Sequence, residues 1–344
     1  MTGPSTGRSS ARPARSRSLR LALVLTLLAA PLALVPAPLR AQDDPPEGGI
    51  FLLLPVGAKA VALGRAMTAQ PGGESVFWNP AGLGEVPEGQ LLLYRGEYVA
   101  ESVGTAATGL LSSPGIGAIG LTYQLLDVGE QELTDEQGNV LGTISVRNHL
   151  GVASVATRIW NRLNVGFNLK VLQFRQSCRG LCNDPGVTAT TYAVDAGIQV
   201  TDLAGLPLRL GAMIAHAGPR FQVRNEEQAD PLPTRMRASA SYEVLEQLVD
   251  VPGVQLNVTA EVEDRWRSPG SPALYLGTEF AAAVDPAVIL VRAGYVNGND
   301  EQVDGAAVGV GLSYDRFDLG VAKSLASNIA DETEPVHVTF GLRF

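Results

Sequence analysis

The sequence predicts an all-β protein: a transmembrane, antiparallel, up-and-down β-barrel of about 14 strands with an N-terminal plug in its lumen. Three observations predict it. Apolar and polar side chains alternate strictly through the last two thirds of the chain, the connections between alternating runs switch between tight and long, and the chain stops on an alternating strand that ends in Phe344.

Alternation comes first. Val254, Leu256, Val258, Ala260 and Val262 interleave with Gln255, Asn257, Thr259, Glu261 and Glu263, and Leu163, Val165, Phe167, Leu169 and Val171 interleave with Asn164, Gly166, Asn168 and Lys170. Successive side chains of a strand point to opposite faces, so each run has one apolar and one polar face. A soluble sandwich turns the polar face to solvent, whereas a membrane barrel turns the apolar face to lipid, and one strand alone does not distinguish them.

The connections do. Strands are expected near 90–99, 102–111, 115–127, 143–158, 161–176, 187–201, 206–217, 233–247, 252–264, 272–284, 287–296, 304–314, 316–324 and 335–344. Ser112-Ser113-Pro114, Trp160-Asn161, Asp285-Pro286 and Tyr314-Asp315-Arg316 make tight joins, while 128–142, 177–186, 218–232, 297–303 and 325–334 read as long polar loops. Short turns at one end and longer loops at the other are what an up-and-down barrel requires.

The last strand carries Val336, Val338, Phe340, Leu342 and Phe344 on one face and His337, Thr339, Gly341 and Arg343 on the other. An alternating apolar face with a terminal aromatic resembles the signal read by the outer-membrane barrel-assembly machinery. With Phe344 at the periplasmic end, the direction of every other strand follows, and the long loops fall outside.

Residues 1–41 read as a secretory signal peptide, with Arg8, Arg12, Arg15, Arg17 and Arg20 ahead of an apolar run from Leu21 to Val35. That run is too short for a stop-transfer helix. Cleavage after Ala41 starts the mature chain at Gln42, removes six arginines and leaves 20 basic against 35 acidic residues, a net charge of −15. Such acidity excludes a nucleic-acid partner. No later stretch approaches 18 uninterrupted apolar residues, so a membrane is crossed by strands. The expected location is the outer membrane of a diderm bacterium, with outer-membrane lipid as the surroundings.

Three regions follow: the signal peptide 1–41, an N-terminal hatch or plug 42–89, and the barrel 90–344. Gly57, Ala58, Ala60, Ala62, Gly64, Ala66 and Ala69 make the second region rich in small residues, which lets its backbone approach another wall closely. In Trp78-Asn79-Pro80-Ala81-Gly82-Leu83, Asn79 can cap the next turn and Pro80 can open a short helix that Gly82 or Gly84 ends, giving a rigid turn with an exposed Trp78. A simple lead-in to the first strand is the other reading of the same residues.

Enzyme chemistry has no constellation to rest on. His149, His216 and His337 fall on separate strands without paired metal spacing, and no nucleophile-elbow motif is present, so no catalytic residue, metal or cofactor is expected. Cys178 and Cys182 fall in a predicted external loop, where an oxidising route makes a small disulfide-closed loop the expected state. Acidic Asp300, Glu301, Asp331, Glu332 and Glu334 read as solvated loop charge. Parity turns Asp195, Arg235, Arg237, Glu261, Glu263 and Arg292 inward, to pair with one another or with Lys59 and Arg65 of the plug.

A family resemblance covers nearly the whole mature chain. Val56-Gly57-Ala58-Lys59-Ala60-Val61-Ala62-Leu63-Gly64-Arg65-Ala66 followed by Phe77-Trp78-Asn79-Pro80-Ala81-Gly82-Leu83 resembles the start of the PorV/PorQ family within the FadL-like outer-membrane proteins. Leu232-Pro233-Thr234-Arg235-Met236-Arg237-Ala238-Ser239-Ala240-Ser241-Tyr242 resembles its Leu-Pro-led strand, and Leu290-Val291-Arg292-Ala293-Gly294-Tyr295 its Leu-Arg-x-Gly-Tyr strand. The resemblance implies a fourteen-stranded barrel with an internal hatch and two alternative jobs. The first is a non-enzymatic part in type IX-like protein secretion or surface attachment, with secreted cargo proteins as partners. The alternative is a FadL-like channel for long-chain fatty acids or other hydrophobic ligands; a periplasmic β-sandwich binding module is a third. A long apolar pocket between hatch and wall, lined by residues such as Leu52, Leu53, Leu54 and Phe77, would favour transport, and a lumen packed with charge pairs together with large partner-facing loops would favour secretion.

Overall fold

A computed structural model of the chain describes residues 46–98, 102–113, 115–182, 186–223, 229–245, 252–298, 304–325 and 335–344. The leader 1–41 and the acidic residues Asp300, Glu301, Asp331, Glu332 and Glu334 lie outside the described residues.

The alternating runs form fourteen strands: β1 (Gln90–Glu97), β2 (Val103–Ser113), β3 (Gly117–Thr134), β4 (Val140–Trp160), β5 (Leu163–Gly180), β6 (Gly186–Val200), β7 (Leu208–Ala217), β8 (Arg235–Glu243), β9 (Val254–Arg265), β10 (Ala273–Val284), β11 (Ala287–Asn297), β12 (Gly305–Tyr314), β13 (Phe317–Ser324) and β14 (Val336–Arg343). Each pairs antiparallel with its sequence neighbour, and β14 returns to β1 with Thr339 opposite Tyr94, closing the barrel. Closure removes the unpaired edges that an open sheet would expose. Phe344 adds one more bond across this seam, its amide donating to the Gly89 carbonyl at 2.9 Å.

Period-two alternation sorts the two faces. Leu121, Tyr123, Val155, Phe167, Leu169, Val171, Ile198, Val291, Val310, Leu319 and Phe340 are exposed on the outer surface. Their neighbours Thr122, Ser154, Asn168, Lys170, Gln199 and Thr339 are buried inside. Among the described residues no helix is long and apolar enough to cross a membrane.

Two of the expected loops contain strand. Residues 128–134, 140–142, 177–180 and 186 prolong the ladder, with β3, β4, β5 and β6 running for 18, 21, 18 and 15 residues against eight each for β13 and β14. At about 3.3 Å per residue, the extra residues of β3 to β6 add roughly 23–43 Å of strand length relative to β13 and β14. Polar composition suggested loop, but both faces of a free-standing hairpin meet water, so polar residues are no obstacle to pairing. A β-bulge between Asp127 and Glu130 turns the ladder as it rises. At the tip, the Asp135 carboxylate accepts from the amides of Gln137 and Asn139 and from Asn139 Nδ2, and the Asn139 bonds hold its carboxyl below the usual range. Cys178 therefore lies on β5 rather than in a loop, bonded to Cys182 just beyond it.

The segment 218–232 also departs from expectation. Pairing of β6 with β7 ends at Val194 opposite Ala217, where His216 takes φ 58° and shifts the register. Beyond that point the chain turns toward the lumen, burying Phe221 and Leu232, with Phe221 bridged to Asp230. Two large apolar side chains in an otherwise polar stretch are what draw it inward.

Candidate functional site

The candidate site is the lumen, where residues 46–89 pack against the inner wall. Four short elements organise that segment, the helix α1 (Ala58–Ala62) and the 3-10 turns Ile50–Leu53, Gly73–Val76 and Pro80–Glu85. Glu74 accepts from the free amides of Lys59 (3.4 Å) and Ala60 (3.2 Å) at the start of α1. A carboxylate at a helix N-terminus satisfies amides that have no partner within the helix.

Small residues set the fit. In cross-strand pairs Gly166–Gly197 and Gly277–Gly294, no side chain projects inward, and the segment's backbone takes the vacated space. A β-carbon on Gly166 would run into the Pro80 carbonyl and the Ala81 amide, and one on Gly197 into Asn79 Oδ1. A β-carbon on Gly294 would run into the Gly64 amide and one on Gly277 into Leu63. The glycines that weaken a strand intrinsically are here the seats of a second layer.

Asn79 joins local and distant structure. Its Oδ1 accepts from the Ala81 amide at 3.1 Å, capping the 3-10 turn with Pro80 at its first position. Its Nδ2 donates to the carbonyls of Thr68 (2.7 Å) and Ile198 (3.1 Å). The turn runs on to Glu85, so Gly82 and Gly84 lie inside it and do not end it; a β-carbon on Gly82 would press on Ser75 and the Gln70 carbonyl, a packing reason for glycine. Trp78 is buried, not exposed: its Nε1 donates to the Val56 carbonyl at 2.9 Å, and the Arg237 guanidinium lies 4.9 Å from its ring. A cation over an indole face is the favourable geometry.

Charge in the lumen is arranged in sets. Lys170 Nζ lies 2.6 Å from Asp195, whose carboxylate also accepts from Asn168 Nδ2 and from the His216 amide, each at 2.8 Å. Arg235 meets Glu47 at 2.6 Å, Arg237 meets Glu263, and Arg292 meets Glu279 at 2.6 Å with Lys59 at 3.9 Å from the same carboxylate. Glu261 accepts from the amide (2.7 Å) and hydroxyl (2.7 Å) of Thr68. The six inward charges expected from parity are all buried. Arg65 differs from expectation: it takes φ 68° three residues after α1, its amide donating to the Ala60 carbonyl at 2.9 Å, and it has no ion pair among the described residues.

Beside this polar set runs an apolar one that alternation alone did not single out. Leu110 of β2, Leu126 of β3, Leu150 and Val152 of β4, and Leu172 of β5 face inward and form one cluster with Phe51, Val76, Leu83, Val86, Phe221 and Leu232. Each of these strands mixes apolar and polar residues on its inner face, which blurs the periodic signal. The cavity lined by Leu52, Leu53, Leu54 and Phe77 is only about 20 Å³, room for a single water, so the long apolar pocket is closed in this conformation. A second concavity of about 710 Å³ lies between Val155, Phe167, Ile198, Ile214, Met236 and Trp266, on the outer side of the wall where Gly166 and Gly197 seat Asn79 and Pro80. His149 is outside, bonded to Tyr123 Oη at 2.7 Å, and His337 is inside, bonded to Tyr94 Oη at 2.7 Å. No group of three metal-ligating side chains occurs among the described residues.

No protein-family model matches the chain, and no curated protein matches it in sequence. In three dimensions it is similar to the CymD monoaromatic hydrocarbon channel, with TM-score 0.58, 12% identity, and coverage of 87% of this chain and 99% of that one. It is similar to the Ralstonia pickettii toluene transporter TbuX, with TM-score 0.55, 13% identity, and coverage of 84% and 98%. It is also similar to the Pseudomonas putida toluene transporter TodX, with TM-score 0.52, 11% identity, and coverage of 88% and 98%. The chain thus shares the fold of these proteins over nearly their whole length.

Proposed function

We propose that this protein is an outer-membrane channel for hydrophobic small molecules, in which residues 46–89 act as the hatch. The observation that carries the reading is the apolar lumen face of β2 to β5 with Leu110, Leu126, Leu150, Val152 and Leu172. A lumen that conducts water and ions is polar, whereas an apolar stripe offers an apolar solute a path and offers water none. The fold likeness to hydrocarbon channels supports the same reading. Since the inner cavity is closed, passage requires the hatch, or the inward-packed Phe221 and Leu232, to move. The end of β6–β7 pairing at Val194 is the place where the wall is least tied together.

Several features of the chain fit this assignment. The leader 1–41 delivers the protein across the inner membrane, and the Phe344-ended strand with Val336, Val338, Phe340 and Leu342 serves barrel assembly. The Trp78-Asn79-Pro80-Ala81-Gly82 motif serves as the hatch anchor. The role in protein secretion, expected first, has the N-terminal PorV/PorQ resemblance behind it. The fold likeness favours the channel, and the buried charge pairs account for hatch seating without any cargo.

The test is to purify the protein from outer membranes in mild detergent and analyse both the small molecules and the proteins that accompany it. A near-stoichiometric fatty acid or hydrocarbon, lost in a Leu150→Asp variant that still folds, supports the channel. A secreted protein in its place, with no apolar ligand, overturns it in favour of secretion.

A further inference from the structure

The outer face of the raised wall changes character abruptly at its foot. Tyr123, Val171 and Tyr192 continue the apolar surface; the next outward row is Leu125, His149 and Gln173, and the row above it is Asp127, Arg147 and Arg175. Above them Ser145 stands opposite Ser177 and Thr143 opposite Arg179. Together with Glu130, the side chains of Thr143, Ser145, Arg147, Arg175, Ser177 and Arg179 line a concavity of about 240 Å³.

Its charge is unbalanced. Arg147 is held by Asp127, Nε to Oδ2 at 2.9 Å, but Arg175 and Arg179 have no ion pair among the described residues. Arg147 and Arg175 are direct cross-strand partners, which brings like charges to adjoining positions, about 5 Å apart at their β-carbons, and disfavours the sheet. In a chain whose net charge is −9, this small outward face has two carboxylates, Asp127 and Glu130, against three arginines. An anion between them relieves the repulsion. The guanidinium fork suits a phosphate, and the Ser145 and Ser177 hydroxyls, 2.8 Å apart, add neutral donors at the floor.

Height above the apolar band decides the source of the anion. The concavity begins one outward row above Leu125 and His149 and two above Tyr123, at the upper edge of the apolar surface, where a membrane-embedded wall meets the headgroups of the outward leaflet. We propose that it binds the phosphate of a phosphorylated lipid headgroup, with Arg175 and Arg179 on the phosphate oxygens and Arg147 fixed beside them by Asp127. This rests on the membrane-barrel reading.

Native mass spectrometry of the full protein in detergent tests it with three probes: a phosphorylated diglucosamine lipid, the same lipid without phosphates, and inorganic phosphate. The wild type is expected to retain the phosphorylated lipid, and an R175Q/R179Q variant or removal of the phosphates to lower retention by about ten-fold or more. R175K/R179K is expected to retain part of it. Equal retention by wild type and R175Q/R179Q overturns the proposal, as does inorganic phosphate binding as well as the lipid. Heat-dependent gel mobility of R175Q/R179Q checks that its barrel is intact. A wild type that is soluble without detergent contradicts the membrane reading itself, a result separate from either lipid outcome.

Discussion

Asn79 shows how much one side chain does in the lumen: it caps its own turn and ties two carbonyls, one in the segment and one in the wall. Asn79→Ala removes all three bonds and is expected to destabilise the hatch by about 1–3 kcal/mol while the barrel stays closed. Faster amide exchange in 68–85 than in β10 to β14 would report it. Asp195→Ala leaves Lys170 buried beside an unpartnered site and is expected to cost about 3–5 kcal/mol in denaturant unfolding, whereas Lys170→Met with Asp195→Leu recovers most of that. If the single variant unfolds like the wild type, the pair has no structural weight. At this scale the capping role of Asn79 and the inward facing of Asp195 were legible, because both follow from neighbours in sequence or from parity. The burial of Trp78 was not, because its cover comes from Val56 and from Arg237, which is 159 positions along the chain.

Strands were legible as elements because a half-buried strand writes period two into the sequence, and the tight joins at 114–116, 161–162, 285–286 and 315–316 come where Pro, Asn and Asp interrupt it. The height of β3 to β5 was not legible, since a hairpin wetted on both faces has no alternation to read. Its tip gives a pH prediction. Asp135 has a lowered folded pKa, so its contribution to the turn is fully present above the ordinary carboxylate pKa and is lost as pH falls through the lower, folded value. Amide shifts of Gln137 and Asn139 that move together in acid would show this; amides indifferent to pH down to 2 would contradict it. The segment 46–89 depends on glycine seats rather than on its own helices. Gly294→Val puts side-chain carbon where the Gly64 amide lies, so trypsin is expected to cleave after Arg65 in the variant and not in the wild type. For the Cys178–Cys182 loop, protein kept from reductant is expected to take up no alkylating agent at either cysteine.

On the scale of the whole molecule, the closed barrel has an apolar outside, paired charges on part of its inner wall and an apolar stripe on the rest, which the proposed channel function makes a gated path for something that avoids water. The Glu47–Arg235 and Lys59–Glu279 pairs and the glycine seats hold residues 46–89 against the wall, and in the proposed channel the stripe of Leu110, Leu126, Leu150 and Leu172 is the side along which a solute passes. Closure and strand number follow from pattern, whereas the stripe emerges only when four strands are placed side by side. The most direct measurement of this account is entry of a labelled long-chain fatty acid or monoaromatic hydrocarbon into cells that depend on this protein, comparing the wild type with Leu150→Asp/Leu172→Asp at equal amounts of folded barrel. The account predicts that uptake falls at least about ten-fold, since each buried carboxylate adds several kcal/mol to an apolar path. Uptake that is equal in the two, or no greater than in cells without the protein, would contradict it.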